Sequence, residues 1–134
     1  MSAQPHSEPH THPAGDPPDT LGQVLSAVCA VHCVTTPVLV TVAPAAGSVL
    51  GGAHPVLLVL VIAVALWAFV PGYRCHRNAA VVALALGGIA FLALAALALE
   101  GNVVAETLLS LVGAALMMAA HYRNRVLLRA AHAH

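Results

Sequence analysis

Leu21–Pro44 reads LGQVLSAVCAVHCVTTPVLVTVAP, without one charged residue. A helix needs about 20 apolar residues to cross a ~30 Å hydrocarbon core. This run meets that length, and three more follow at Pro55–Val70, Ala79–Leu99 and Val103–Ala120. The second and fourth are slightly short, and flanking residues extend them. The period-2 alternation of a membrane barrel is absent. Helices also satisfy their own backbone groups, as lipid demands. The expected fold is all-α, a four-helix transmembrane bundle over residues 21–128. A disordered His/Pro-rich tail is expected at 1–20 and a short C-terminal tail at 129–134.

Composition agrees. The chain has 134 residues, 60% hydrophobic and 7% charged, with a mean hydropathy of +0.88. Soluble domains carry about 25% charged residues. There is no lysine, and the formal net charge is zero, so nothing resembles a nucleic-acid footprint. Three cysteines are too few for a disulfide scaffold. No stretch resembles a cleaved signal peptide, since residues 1–20 lack Lys and Arg.

All five arginines fall on one side of a four-crossing chain. Arg74 and Arg77 follow the second run, and Arg123, Arg125 and Arg129 follow the fourth. The positive-inside rule makes that side cytoplasmic. Both termini are then cytoplasmic, in a bacterial inner membrane, and the Gly47–His54 loop and Glu100–Asn102 turn face outward. Trp67, Tyr73 and Tyr122 suit an interfacial aromatic belt on the inner side. Small residues let membrane helices approach closely. They recur at Ala79, Ala83 and Gly87, with Gly88 beside them, and at Ser110 and Ala114, with Gly113 beside them. A tight bundle with no large water-filled pore is expected.

The first run also carries chemistry. Residues four apart lie about 40° apart around a helix, so Cys29 and Cys33 stack on one face. His32 lies on its flank, and Thr36 falls between them in angle. Thiolates favour soft cations, and imidazole suits several late transition metals. An isolated thiolate is costly in an apolar setting, so the empty site holds neutral thiols. Pro37 has no N–H, which costs the Cys33 carbonyl its helical partner and predicts a kink beside the motif. Ionisable residues within a membrane are expensive and usually functional. A disulfide within one helix turn would staple almost nothing.

Ser26-Ala27-Val28-Cys29-Ala30-Val31-His32-Cys33-Val34-Thr35-Thr36-Pro37 resembles the first helix of the MerC mercury-resistance membrane proteins. The resemblance continues through Gly72-Tyr73-Arg74-Cys75-His76-Arg77 and His121-Tyr122-Arg123-Asn124-Arg125. It implies a four-helix inner-membrane protein that takes up mercuric ion, with Cys29 and Cys33 as the functional pair. It also implies a periplasmic metal donor and a cytoplasmic thiol acceptor or mercuric reductase as partners. Members are described with a second, cytoplasmic cysteine pair. The sequence departs there, because Cys75 is its only other cysteine.

Cys75, His76 and His121 are expected at the cytoplasmic face, where they could converge on a hand-off site. Together with Cys29, His32 and Cys33 they form the candidate metal ligands. His54 before Pro55 reads as an ordinary helix start, with a role as an access ligand as the alternative. Glu106 sits in a first helical turn, where the helix dipole favours an acid. Met117 and Met118 read as core or lipid contacts. No catalytic constellation is present, so an enzyme is not expected, nor a permanent cofactor. The leading expectation is a carrier that exchanges a soft divalent ion, above all Hg(II), between thiols. Transport or sensing of Zn(II), which accepts mixed His and Cys ligands, is the alternative. A haem-binding protein ranks below both.

Overall fold

A computed structural model describes residues 17–45, 52–99 and 102–132. The tail with His6, His10 and His12, residues 46–51, Glu100 and His134 lie outside them. The described residues form α1 (Pro17–Val42), α2 (His54–His76), α3 (Ala79–Ala98) and α4 (Val103–His132). Each is long and apolar enough to cross a membrane, and no strand occurs among the described residues.

Local chemistry sets the helix ends. α1 opens on Pro17 and Pro18, where the missing proline N–H leaves no donor unmet. It stops at Val42, ahead of Pro44, because a following proline pushes Ala43 out of the helical region. α2 opens on His54-Pro55. It closes at Arg77, which takes a left-handed conformation (φ 50°). Next, Asn78 caps α3 by accepting from the Ala80 N–H (3.0 Å). Asn102 caps α4 by accepting from the Ala105 N–H (3.2 Å).

Two expected boundaries move. The first four residues of α1, Pro17–Thr20, were expected as tail, and α4 continues through Arg129 to His132. Hydropathy marks only what lipid surrounds, whereas a helix continues as long as its hydrogen bonds do. α2 likewise runs through Pro71, six residues past the apolar run.

The helices pack in sequence order around the bundle, α1 on α2, α2 on α3, α3 on α4 and α4 on α1, with α2 also meeting α4 across the diagonal. On α1 the buried residues are Asp19, Gly22, Ser26, Cys29, Cys33 and Thr36. Their spacing alternates three and four, the period of a helix–helix seam. The large apolar residues Leu21, Val24, Val28, Val31, Val34 and Val38 point outward. A water-soluble bundle would reverse that arrangement; this one is built for lipid.

α3 and α4 approach most closely at Gly88 and Gly113. A Cβ on Gly88 would lie 3.0 Å from the Gly113 carbonyl oxygen, and one on Gly113 would lie 2.9 Å from that of Gly88. Ser110, Gly113 and Ala114 are buried as expected. The α3 stripe is not the expected one. Val81, Ala85, Gly88, Leu92 and Ala95 are buried, while Ala79 and Ala83 are exposed. Steps of four drift about 40° each around the axis, so that stripe leaves the contact face. Ala79 and Ala83 line an apolar groove between α2 and α3 instead. Met117 is buried and Met118 exposed, which divides that pair between core and lipid.

Candidate metal site and a buried polar network

Cys29 and Cys33 are both buried free thiols midway along α1. Both line a small gap of about 20 Å³ with His54, Leu57, Val61 and Ser110. His32 is half-buried on the flank. α1 is continuous through Pro37. The hydroxyl of Thr36 donates to the His32 carbonyl (2.8 Å), which ties the polar side of the helix to itself.

Polar partners of Cys33 come from other helices. His54 Nε2 lies 4.0 Å from Cys33 Sγ. Its Nδ1 lies 3.2 Å from Glu106 Oε1, and its ring meets that of His32 edge-on with centroids 5.0 Å apart. Glu106 is therefore a specific partner as well as a first-turn acid. His54 is more than a helix start. The signal available in the sequence was slight: a histidine and an acid at helix starts on the same side of the membrane.

Beyond this cluster the bundle is not tight. A partly open cavity of about 610 Å³ extends from Cys33 past Thr36 and Pro37 to Val40 and Thr41, with His54, Glu106, Thr107 and Ser110 on its other walls. α1 continues nine residues past Cys33, about 13 Å at 1.5 Å per residue. α2 begins only at His54, level with that thiol, so the last third of α1 has no α2 beside it. The expectation of a closed bundle fails at this end for that reason.

Toward the arginine-bearing end the described residues fill the bundle axis, while an apolar groove of about 640 Å³ opens between α2 and α3 as far as Arg74. Below Cys29 the bundle is filled by Val61, Ala65, Phe69, Val81, Ala85 and Met117. Under that plug lies a buried polar network. The Asn78 N–H donates to His76 Nδ1 (2.9 Å), so the His76 proton is on Nε2, which donates to Asn124 Oδ1 (2.9 Å). Asn124 Nδ2 donates to Asp19 Oδ2 (2.8 Å). The other carboxylate oxygen, Oδ1, accepts from His121 Nδ1 (2.9 Å). His121 also stacks on Phe69, with centroids 4.5 Å apart. Asp19, His121 and Asn124 are essentially inaccessible.

The network spans three helices: the Asp19 carboxylate of α1 accepts from two side chains of α4, and Asn124 ties them to His76 of α2. His76 and His121 belong to one hydrogen-bonded network, with Asn124 and Asp19 between them. Cys75 is exposed and takes no part in these bonds. Asp19 and Asn124 went unnoticed in the sequence. Asp19 extends the three–four spacing of Gly22, Ser26, Cys29 and Cys33 backwards, and Asn124 does the same forwards from Met117, Ala120 and His121.

Among the described residues, no three His, Cys, Asp or Glu side chains are placed to hold a metal ion together. Neither Cys29-His32-Cys33 nor Cys75-His76-His121 is a finished coordination sphere. The first set offers two thiols with an imidazole on their flank. A family model described as MerC mercury resistance protein matches residues 19–126. No curated protein and no solved structure matches the chain.

Proposed function

The chain belongs to the MerC family of mercury resistance membrane proteins, and from that premise we propose that it carries mercuric ion across the bacterial inner membrane by exchange between thiols. The observation that carries this reading is the pair Cys29 and Cys33, buried in mid-helix, with a cavity reaching Cys33 from the His54–Glu106 end. An ion delivered as a bis-thiolate complex enters the cavity. The Cys33 sulfur bonds to it, one incoming thiolate leaves, and the proton of Cys33 goes with that leaving thiol. A second exchange at Cys29 releases the other ligand and leaves the ion bridging the two cysteines. Exchange suits an ion whose thiolate bonds dissociate too slowly alone.

On the positive-inside reading of the five arginines their end is cytoplasmic and the cavity faces outward, so the fold is arranged to receive. Exposed Cys75 is the thiol available for passing the ion to a cytoplasmic acceptor. His76 and His121 keep that end closed until then. Zinc is the second reading, because two imidazoles stand beside the thiols and zinc takes mixed ligands. With both Cys29 and Cys33 replaced by Ser, uptake of mercuric ion into cells or vesicles should fall to background. Undiminished uptake in that variant, or equal competition by zinc in the parent, would sink the mercuric reading.

A further inference from the structure

We infer that His54 is a direct ligand of the ion held at Cys33, and that Glu106 is the residue that orients it. This rests on the reading of Cys29 and Cys33 as ion-binding thiols and adds a third donor to them. The spacing is the first ground. With the bond lengths of zinc as a yardstick, about 2.3 Å to sulfur and about 2.0 Å to nitrogen, angles of roughly 110–130° put the two donors about 3.5–4 Å apart, and a larger soft ion sets them no closer. Cys33 Sγ and His54 Nε2 are 4.0 Å apart, so an ion fits between them with little movement.

The second ground is the direction of the ring. With the Nδ1 proton donated to Glu106, the lone pair of Nε2 faces the sulfur. Metal-binding histidines almost always give their other N–H to a carboxylate or similar acceptor, which fixes tautomer and orientation. An ion pair serving only the helix dipole would not require Nε2 to face a thiol. The third ground is rigidity: three elements hold the arrangement. His54 is anchored by Pro55 at the start of α2, Glu106 by the Asn102 cap of α4, and the ring by His32 of α1. Both His54 and Glu106 line the cavity, so the donor stands where the ion arrives.

The test is X-ray absorption at the mercury edge, on the full chain in detergent with one equivalent of Hg(II). The expected coordination is two sulfurs and one nitrogen. His54→Ala should leave sulfur alone. Titration against a competing small thiol should show Glu106→Ala weakened about 10- to 100-fold and His54→Ala at least as much. Glu106→Gln, whose amide oxygen still accepts from Nδ1, should stay nearest the parent. A sulfur-only shell in the parent chain, or a nitrogen neighbour unchanged in His54→Ala, overturns the assignment; the parent spectrum decides even if the variants misfold. Retained parent-like binding in the Cys29→Ser/Cys33→Ser variant would instead overturn the reading on which it rests.

Discussion

Gly22 has no side chain because His121 occupies the place of one. A Cβ there would overlap the imidazole Nε2, and a Cβ on Gly72 would overlap Asn124 Oδ1. Two glycines on two helices thus make room for the two polar side chains that hold the Asp19 carboxylate. Gly22→Ala should cost about 1–3 kcal/mol through overpacking, read as a lower Tm in detergent. Combined with His121→Ala, which empties the space, most of the Gly22→Ala penalty should vanish. Strictly additive losses in that double-mutant cycle would show that the two residues do not share the space. The sequence concealed this site for a physical reason. Asp19 lies among prolines and polar residues that look like solvated tail, and only its partners His121 and Asn124 on α4 make its burial tolerable. The cysteines of α1 were legible because their spacing is local. His54 and Glu106 were not, because their pairing depends on the depth and rotation of two other helices.

At the scale of the helix, α1 divides its labour along its length. Its buried face passes from carboxylate and glycine, through serine, to thiols and threonine, while its lipid face is almost uniformly valine and leucine. Hydropathy therefore located the element, and the spacing of its minority residues located the working face. The same approach misread α3, where alanine is so frequent that small-residue spacings arise in every phase. There only the Gly88–Gly113 contact settles the rotation, and that contact belongs to two helices at once. Pro37 is a property of α1 alone. Replacing it with Ala restores an N–H to the Cys33 carbonyl, so Pro37→Ala should stabilise the protein by up to about 3 kcal/mol. Mercuric uptake should slow at the same time, because the backbone beside Cys33 stiffens. A fall in Tm would mean instead that the bundle is built around the proline.

The whole molecule is asymmetric along its axis. One end has a cavity walled by His54, Glu106 and Thr36; the other has an apolar plug backed by the Asp19 network. Thiols lie between, and Cys75 stands exposed beyond the closed end. Such a molecule has a direction, and the exposed Trp67, Tyr73 and Tyr122 lie toward the same end as the arginines, as an interfacial belt would; the proposed sign puts that end in the cytoplasm. A membrane-impermeant maleimide reports that sign directly. In a Cys29→Ser/Cys33→Ser background, Cys75 should be labelled in inside-out vesicles and protected in right-side-out ones. In a Cys75→Ser background, a small impermeant thiol reagent should reach Cys33 from the outer side alone, because the plug bars it from the inner side. Prior loading with Hg(II) should block that reaction. Labelling of Cys75 from the outer side would reverse the orientation and with it the direction of uptake. Equal access to Cys33 from both sides would remove the closed end on which an ordered transfer depends.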